Sequence, residues 1–560
     1  MKYKRFFTFL AVCILMQQCA KQTAPTGGAK DEIPPTLIRS NPAHKATNFN
    51  GKEIQLTFDE LIQLNNPREQ LIITPSIGKK FEATAKKNKI VLELNSELKD
   101  NTTYTINFRE SVQDLTEKNP AQVKLAFSTG PYVDSLNVIG TVKDILTNKD
   151  LNNYTVALTP ASDTFNIFKH AASWITLADK QGRFALENLK PGKYFIYAFD
   201  DRNKNLLVDS KSEKYGFKSD YINLVEASDS IKIQVFKLDA SNLKLIASRP
   251  TFAYFNIRFS KSLINHKISS SDSTQKIYNV LEPDLSTIKV FNTIPDLDSL
   301  QVRVQAQDST DSKVDTLIYI KFPKKESTKD KFTAKVEFAN QYENNSLFST
   351  SIIFSKPVVR LNQDSIYIQI DSLTRITFAQ SEYEWNENMT KVTINKKLDE
   401  PKKPDPPKDV LTKKGLSGPE EKKSSEPKNQ LIIAKGSILS IENDTVSLIT
   451  TPVKMIKIEN YGIISTEIKT KEDFIVQLVD KNDKVVDEKK NTKNATFDNI
   501  PAGTYALRLL VDLNKNGRWD AGNYTSKTQP EPVVHYTNPK GGTETFLKAN
   551  WYVGPLLITY

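Results

Sequence analysis

NLKPGKYFIYAFDDRNKNLLVD, residues 188–209, returns 311 residues later as NIPAGTYALRLLVDLNKNGRWD, residues 499–520. Asn188 pairs with Asn499, Gly192 with Gly503 and Tyr194 with Tyr505. Asp201, Asn203, Asn205 and Asp209 pair with Asp512, Asn514, Asn516 and Asp520. Each copy opens on a turn, runs as an apolar strand and ends in a loop rich in Asp and Asn. Such a repeat marks a duplicated structural unit. Around each copy stand further runs of four to eight residues, bounded by Asn, Asp, Gly, Pro or Ser. They include EIQLTF (53–58), KIVLEL (89–94), TYTINF (103–108), YFNIRF (254–259) and IYIQI (366–370). Period-two alternation with turn residues about every ten positions predicts an all-β chain of sandwiches. At 560 residues the chain has room for about four or five domains.

The order PPTLIRSNPAHKA (34–46), IQLTFDELI (54–62), LIITP (71–75), LELNSELKDNTTYTINF (92–108), VQDLTEKNP (112–120) and LAFSTG (125–130) resembles the bacterial Ig-like domain of surface-layer proteins and Bacteroidota lipoproteins. The resemblance covers residues 34–130. It implies a sandwich used as a spacer or interaction unit. VIGTVKD (138–144), VALTP (156–160) and LADKQGRFALENLKPGKYFIYAFDD (177–201) are similar to transthyretin-like or B-type modules of exported bacterial proteins. Phe184, Leu186, Leu189 and Tyr194 alternate towards a core. The repeat makes residues 455–560 a second transthyretin-like module, opened by YGIIS (461–465). Between them, LIASRP with YFNIRFSKSL (245–263), and STSIIFSKPV (349–358), echo the first domain and predict two further Ig-like sandwiches.

The expected domains are therefore 34–130 (Ig-like), 135–240 (transthyretin-like), 241–340 and 341–454 (Ig-like) and 455–560 (transthyretin-like), strung as a rod. Residues 399–430, proline-rich and nearly free of apolar side chains, read as a disordered insertion in the fourth domain.

Residues 1–18 read as a signal peptide. Lys2, Lys4 and Arg5 precede an apolar run from Phe6 to Met16 that is too short for a transmembrane helix, which needs roughly 20 residues. Cys19 follows, and beyond it the chain has no cysteine. This pattern looks like a bacterial lipoprotein anchor with lipidation at Cys19, since cleavage at Cys13 would leave too short an apolar run. Residues 19–33 would form a polar tether. The expected location is the outer membrane, lipid-anchored. Lack of other thiols excludes a disulfide framework and a cysteine zinc site. The net charge is +11; losing three lysines and arginines with the export segment leaves +8. Those charges alternate with acids and do not form a stripe, so no nucleic-acid partner is expected.

The two D-x-N-x-N-x-x-x-D loops suit weak structural calcium. Asp201, Asn203, Asn205, the Leu207 carbonyl and Asp209 would supply oxygens in one; Asp512, Asn514, Asn516, the Arg518 carbonyl and Asp520 would do so in the other. Position 12 is Ser212 or Asn523 where an EF-hand has glutamate, although Glu213 is adjacent to Ser212. The turn glycine, Gly517, is Leu206 in the first copy. The competing reading is a turn in which Asp and Asn bond their own backbone. No catalytic motif appears among the four histidines or elsewhere, so no enzyme is expected. The expected role is an envelope scaffold with a protein partner, such as a subunit of an outer-membrane secretion or assembly machine. The alternative is a glycan-binding lipoprotein, with Trp174, Trp385, Trp519 and Trp551 as stacking candidates and Trp519 the first to test. An envelope hydrolase is the remaining alternative.

Overall fold

The structure is a computed structural model and describes residues 31–162, 164–226, 228–270, 276–293, 299–322, 329–343, 346–371, 374–398 and 429–560. Cys19, the signal peptide and residues 399–428 of the expected insertion lie outside the described residues. The chain is a series of β-sandwiches. Among the described residues no helix is long and apolar enough to cross a membrane.

Alternation decides which residues enter the first core. In Glu53–Phe58, Ile54, Leu56 and Phe58 point inward and are fully buried. This strand sits in a four-stranded sheet with Leu37–Asn41, Lys89–Leu94 and Phe81–Lys86. Ile72–Thr74, Thr103–Asn107 and Lys124–Ser128 form the opposing sheet, where Tyr104 stacks on Phe127 at 5.8 Å. The core of this domain draws only on its own residues.

The second and fifth domains share one topology. In the second, Leu136–Asp144 lies between Arg183–Leu189, antiparallel, and Ser228–Val235, parallel. In the fifth, Tyr461–Lys469 lies between Thr496–Pro501, antiparallel, and Tyr552–Thr559, parallel. The facing sheets match as well: Trp174–Leu177, Thr155–Pro160, Gly192–Phe199 and Tyr215–Phe217 against Val485–Lys490, Asp473–Asp480, Gly503–Asp512 and Val533–His535. The sequence repeat is thus a duplicated fold. Phe184, Leu186, Leu189 and Tyr194 all enter the core between the sheets of the second domain.

The third core runs from Leu243 to Ile320. The fourth begins at Phe332 and takes in Ala339, on the strand Ala334–Tyr342. A boundary at 340/341 would cut this strand, which pairs along its length with Leu347–Phe354. The junction therefore precedes Phe332. The polar run before it, KKESTKDK (324–331), is a better linker than any residue near 340.

The echo among the Ig-like units is structural. Phe58, Phe259 and Phe354 are each buried near the end of an equivalent strand. Two residues on stand Glu60, Lys261 and Lys356. Lys261 pairs with buried Asp308 at 2.5 Å. Lys356, 1% exposed, pairs with equally buried Glu442 and with Asp444, both at 2.7 Å. Buried charge is tolerated here because each ion meets an opposite one.

The domains do not form a simple rod. The fifth folds back onto the second. The reason lies in the strands Thr155–Pro160 and Gly192–Phe199, which are buried on both faces and not on alternate residues only. A strand with two apolar faces needs two layers over it. One face builds the sandwich core. The other carries Tyr197, Phe199, Tyr215 and Phe217 into a second cluster that includes Tyr524 of the fifth domain.

Candidate functional site: the docked repeat modules and their loops

The docking contact grows out of a difference between the two repeats. In the second domain, Glu213 stands four residues after Asp209. Its carboxylate accepts the backbone N–H of Arg202 at 3.1 Å and of Asp209 at 2.9 Å. In the fifth, Glu531 makes the equivalent bonds, to Leu513 at 2.7 Å and Asp520 at 2.8 Å, but stands eleven residues after Asp520. The extra residues form a short hairpin closed by the Asn523–Thr528 bridge. That hairpin carries Tyr524.

Tyr524 is 5% exposed. It meets the rings of Phe168 and Phe217 edge-on, both at 5.1 Å. Its hydroxyl accepts the Ile167 N–H at 3.4 Å. Lys527 lies over the Tyr524 ring at 3.7 Å, and its carbonyl accepts the Ser219 hydroxyl at 2.5 Å. Gln529 donates to Ser219 at 2.9 Å. Further along the same interface, buried Arg508 donates to the Leu146 carbonyl at 2.9 Å. His535 Nε2 donates to the Ile145 carbonyl at 3.0 Å, because a carbonyl can only accept. Burial, with the Arg508 charge adding to it, holds the His535 imidazole below its ordinary pKa and so favours the neutral form. Lys149 pairs with Asp483 at 2.5 Å on the rim. The contact thus has an aromatic centre and a polar edge, the anatomy of a specific interface.

Both Asp/Asn loops sit at domain corners. Lys204 of the first pairs with Glu69 of the first domain at 2.7 Å. Arg518 of the second pairs with Asp311 of the third domain, also at 2.7 Å. Inside the first loop, Asp201 accepts N–H bonds from Asn205 and Leu206, both at 3.1 Å. Asn203 accepts from Asn205 at 3.0 Å, and Asn205 from Leu207 at 2.8 Å. The second loop repeats this. Asp512 accepts from Asn516 and Gly517 at 3.0 and 2.7 Å, Asn514 from Asn516 at 3.1 Å, and Asn516 from Arg518 at 3.0 Å. Asp520 accepts both side-chain amides, of Asn514 and Asn516, at 2.6 Å.

Leu206 adopts φ 60°, close to the 80° of Gly517. The turn therefore needs a left-handed residue, and leucine is held there by packing into the shared aromatic cluster. Desolvation pushes the Asp201 and Glu213 carboxyls above their ordinary range, against the backbone N–H bonds they accept. Asp209 lies below its range, chiefly through the Ser212 hydroxyl. Among the described residues no group of three or more His, Cys, Asp or Glu side chains is arranged to hold a metal ion. The inward oxygens of these loops already have donors.

The structure brings Asp201, Asn203 and Asn205 into one turn, and Asp512, Asn514, Asn516 and Asp520 into the other; the sequence motif missed Glu531, because the insertion hides its correspondence with Glu213. The docking had one legible signal, the run YFIYAF, which leaves no charged face, and its counterpart YALRLLV, interrupted only by Arg508. Trp519, the first glycan candidate, donates its indole N–H to the Glu531 carbonyl at 2.8 Å and packs against the shared cluster. Trp174 meets Tyr194, and Trp385 stacks on Phe354, each against its own domain's core. Only Trp551, among the four, is exposed, at 47%. The four histidines have separate partners: Ala126 N–H for His44, Asn166 N–H for His170, Asn279 for His266 and the Ile145 carbonyl for His535.

Residues 31–129 match the bacterial Ig-like domain family. The chain as a whole is thereby an all-β, multidomain protein with a bacterial Ig-like module at its described start. No curated protein sequence matches it. Among solved structures it is similar to the Bacillus anthracis TIE protein, with 10% identity and a TM-score of 0.13 over 96% of this chain and 76% of that one. It is similar also to surface layer protein SbsC, domains 1–6, with 11% identity and a TM-score of 0.15 over 92% and 67%. BcpA, the major pilin subunit of Bacillus cereus, gives 12% identity and a TM-score of 0.12 over 76% and 98%.

Proposed function

We propose that the protein is a non-enzymatic scaffold of the cell envelope, held at the outer membrane by lipid on Cys19 and working through protein–protein contact. The observation that carries this reading is the specialised docking of one module on another. A seven-residue difference between the repeats is spent wholly on a hairpin whose tyrosine fills an aromatic seat on a distant domain. An envelope machine for secretion or assembly is the partner class that a lipid-anchored chain of such modules suits. Co-purification from native membranes tests the role. A stable membrane-protein partner is expected, and a chain recovered alone would refute it. Mass spectrometry of the mature N-terminus tests the anchor separately; an unmodified Cys19 thiol would remove it.

Trp551 favours one second reading. It is half-exposed beside Tyr552, 62% exposed, a pairing that would suit a sugar ring. Retention on a polysaccharide column, lost in Trp551→Ala, would replace the scaffold with a glycan binder. For the loops, calcium would take the oxygens of Asp512, Asn514, Asn516, Arg518 and Asp520, and their counterparts Asp201, Asn203, Asn205, Leu207 and Asp209. A rise in Tm on adding millimolar calcium would mark a bound ion. An unchanged Tm would mark corners held by their own backbone amides, the outcome the satisfied carboxylates favour.

A further inference from the structure

The first domain covers a defined seat on the second. The backbone N–H of Ser76 donates to the Ser173 carbonyl at 2.6 Å, and the Thr74 hydroxyl to the Ile175 carbonyl at 2.8 Å. These carbonyls belong to the outer edge of the strand Trp174–Leu177 and the residue before it. Asn188 completes the seat by donating to the Thr105 hydroxyl at 2.8 Å. An extended segment of an Ig-like sandwich thus caps a sheet edge that would otherwise be open. Unpaired edges invite this kind of addition.

The duplicated module carries the same seat. Register places Leu158 opposite Ile196 and Leu478 opposite Leu507, its repeat partner. Trp174 faces Leu158 and Asp487 faces Leu478, so the two correspond. Val486 then stands where Ser173 does, and Asn499 is the repeat partner of Asn188. On the fifth domain no described residue caps this edge as residues 74–76 cap the second. The fourth domain approaches it but leaves an open groove of about 470 Å3, lined by Tyr342, Ser349 and Ile456 on one wall and Val486, Asn499 and Ile500 on the other. The strand Val485–Lys490 is the free edge of its sheet, and the Asn499 amide has no partner among the described residues. Of the three positions that the first domain bonds on the second, the counterparts of Ser173 and Asn188, Val486 and Asn499, line this groove; Glu488, the counterpart of Ile175, lies beyond it on the same strand.

We propose that the Val485–Lys490 edge and Asn499 form a docking seat for the sheet edge of an Ig-like domain on another polypeptide, engaged as residues 74–76 and 105 engage the second domain. The first domain of a second copy does not qualify, since its own second domain already holds that edge. The groove supplies edge-strand main-chain groups, an amide donor and a mixed lining of polar and apolar side chains, a set suited to an extended, hydroxyl-bearing strand. The proposal deepens the scaffold reading and names the surface through which it acts.

The test uses the full mature chain and a labelled peptide of residues 70–78, QLIITPSIG, the segment that caps the second domain. Saturable binding in fluorescence anisotropy is expected, with a scrambled peptide inert. Lys454→Trp, at an exposed position on the groove wall, should weaken binding tenfold or more, while Asn188→Ala at the occupied seat should leave it unchanged. Asn499→Gly, which removes the amide and keeps the left-handed φ of 56°, provides a milder second variant, expected to weaken binding severalfold. No saturable binding, equal binding of the scrambled peptide, or indifference to both groove variants would overturn the seat. A peptide that binds to a chain lacking any membrane partner in co-purification would leave the seat standing and sink the scaffold reading alone.

Discussion

Tyr524→Ala should separate the fifth domain from the second while leaving both folded. The tyrosine is 5% exposed and edge-packed by two phenylalanine rings at 5.1 Å. Truncating a buried aromatic costs about 3–5 kcal/mol. The fifth domain's own core, from Ile464 to Ile558, does not include Tyr524. The loss therefore falls on docking and not on the fold. At about 1.4 kcal/mol per decade, the docked-to-undocked ratio should drop by roughly 150- to 5000-fold. Nitroxide labels on cysteines introduced at exposed Lys180 and Lys540 can read the change, since the chain after Cys19 has no thiol of its own. A single distance should give way to a broad distribution. Hydrogen exchange at Ile167, whose N–H the tyrosine accepts, should rise with it. An unchanged distance in the variant would refute the claim that this hairpin holds the modules together. Loss of the fifth domain's near-UV signal would refute the separation of docking from folding.

Docking should also weaken as pH falls. The half-buried His535 is held below its ordinary pKa by desolvation, facing Arg508, Asp144, Asp483 and the Ile145 carbonyl. Below its ordinary pKa of 6.5 the undocked module takes up a proton that the docked one resists, so stability present above that pH is lost on acidification. His535→Gln, scored by the same labels, should flatten the response between pH 6.5 and 5. Lys356→Ala leaves the buried Glu442 carboxylate with only the longer Lys329 contact at 3.7 Å and the Tyr254 hydroxyl at 3.3 Å, and should cost about 3 kcal/mol by denaturant unfolding. Adding Glu442→Leu should recover most of it; no recovery would mean the lysine acts through packing. Gly140→Ala should split the parallel pairing of Leu136–Asp144 with Ser228–Val235, because its Cβ would lie 2.0 Å from the Ile231 carbonyl. Overpacking of this kind costs about 1–3 kcal/mol, measurable as a lower Tm of the second domain.

The fold class and the first, second and fifth domains were legible because strands write themselves as local alternation. EIQLTF shows its buried face in the residues themselves, and the pair of 22-residue repeats shows a duplication without any structure. The junction at Phe332 was harder, since the flanking strand pairs with residues further on and only that pairing assigns it. In the loops, the motif named the five oxygen-bearing positions of each copy. The competing reading, Asp and Asn bonding their own backbone, describes the hydrogen bonds these loops make; what the motif did not show is the left-handed turn at Leu206, where the second copy has Gly517.

What the sequence determined alone is the set of modules and the repeat 188–209 with 499–520, both products of short-range period and turn chemistry. What only the tertiary structure decided is how the repeats meet. The aromatic face of YFIYAF needs a second covering layer, and nothing local says which segment provides it. The answer is a hairpin more than 300 residues away, inserted into one copy of the motif and absent from the other. Burial of one tyrosine turns two similar modules into a docked pair.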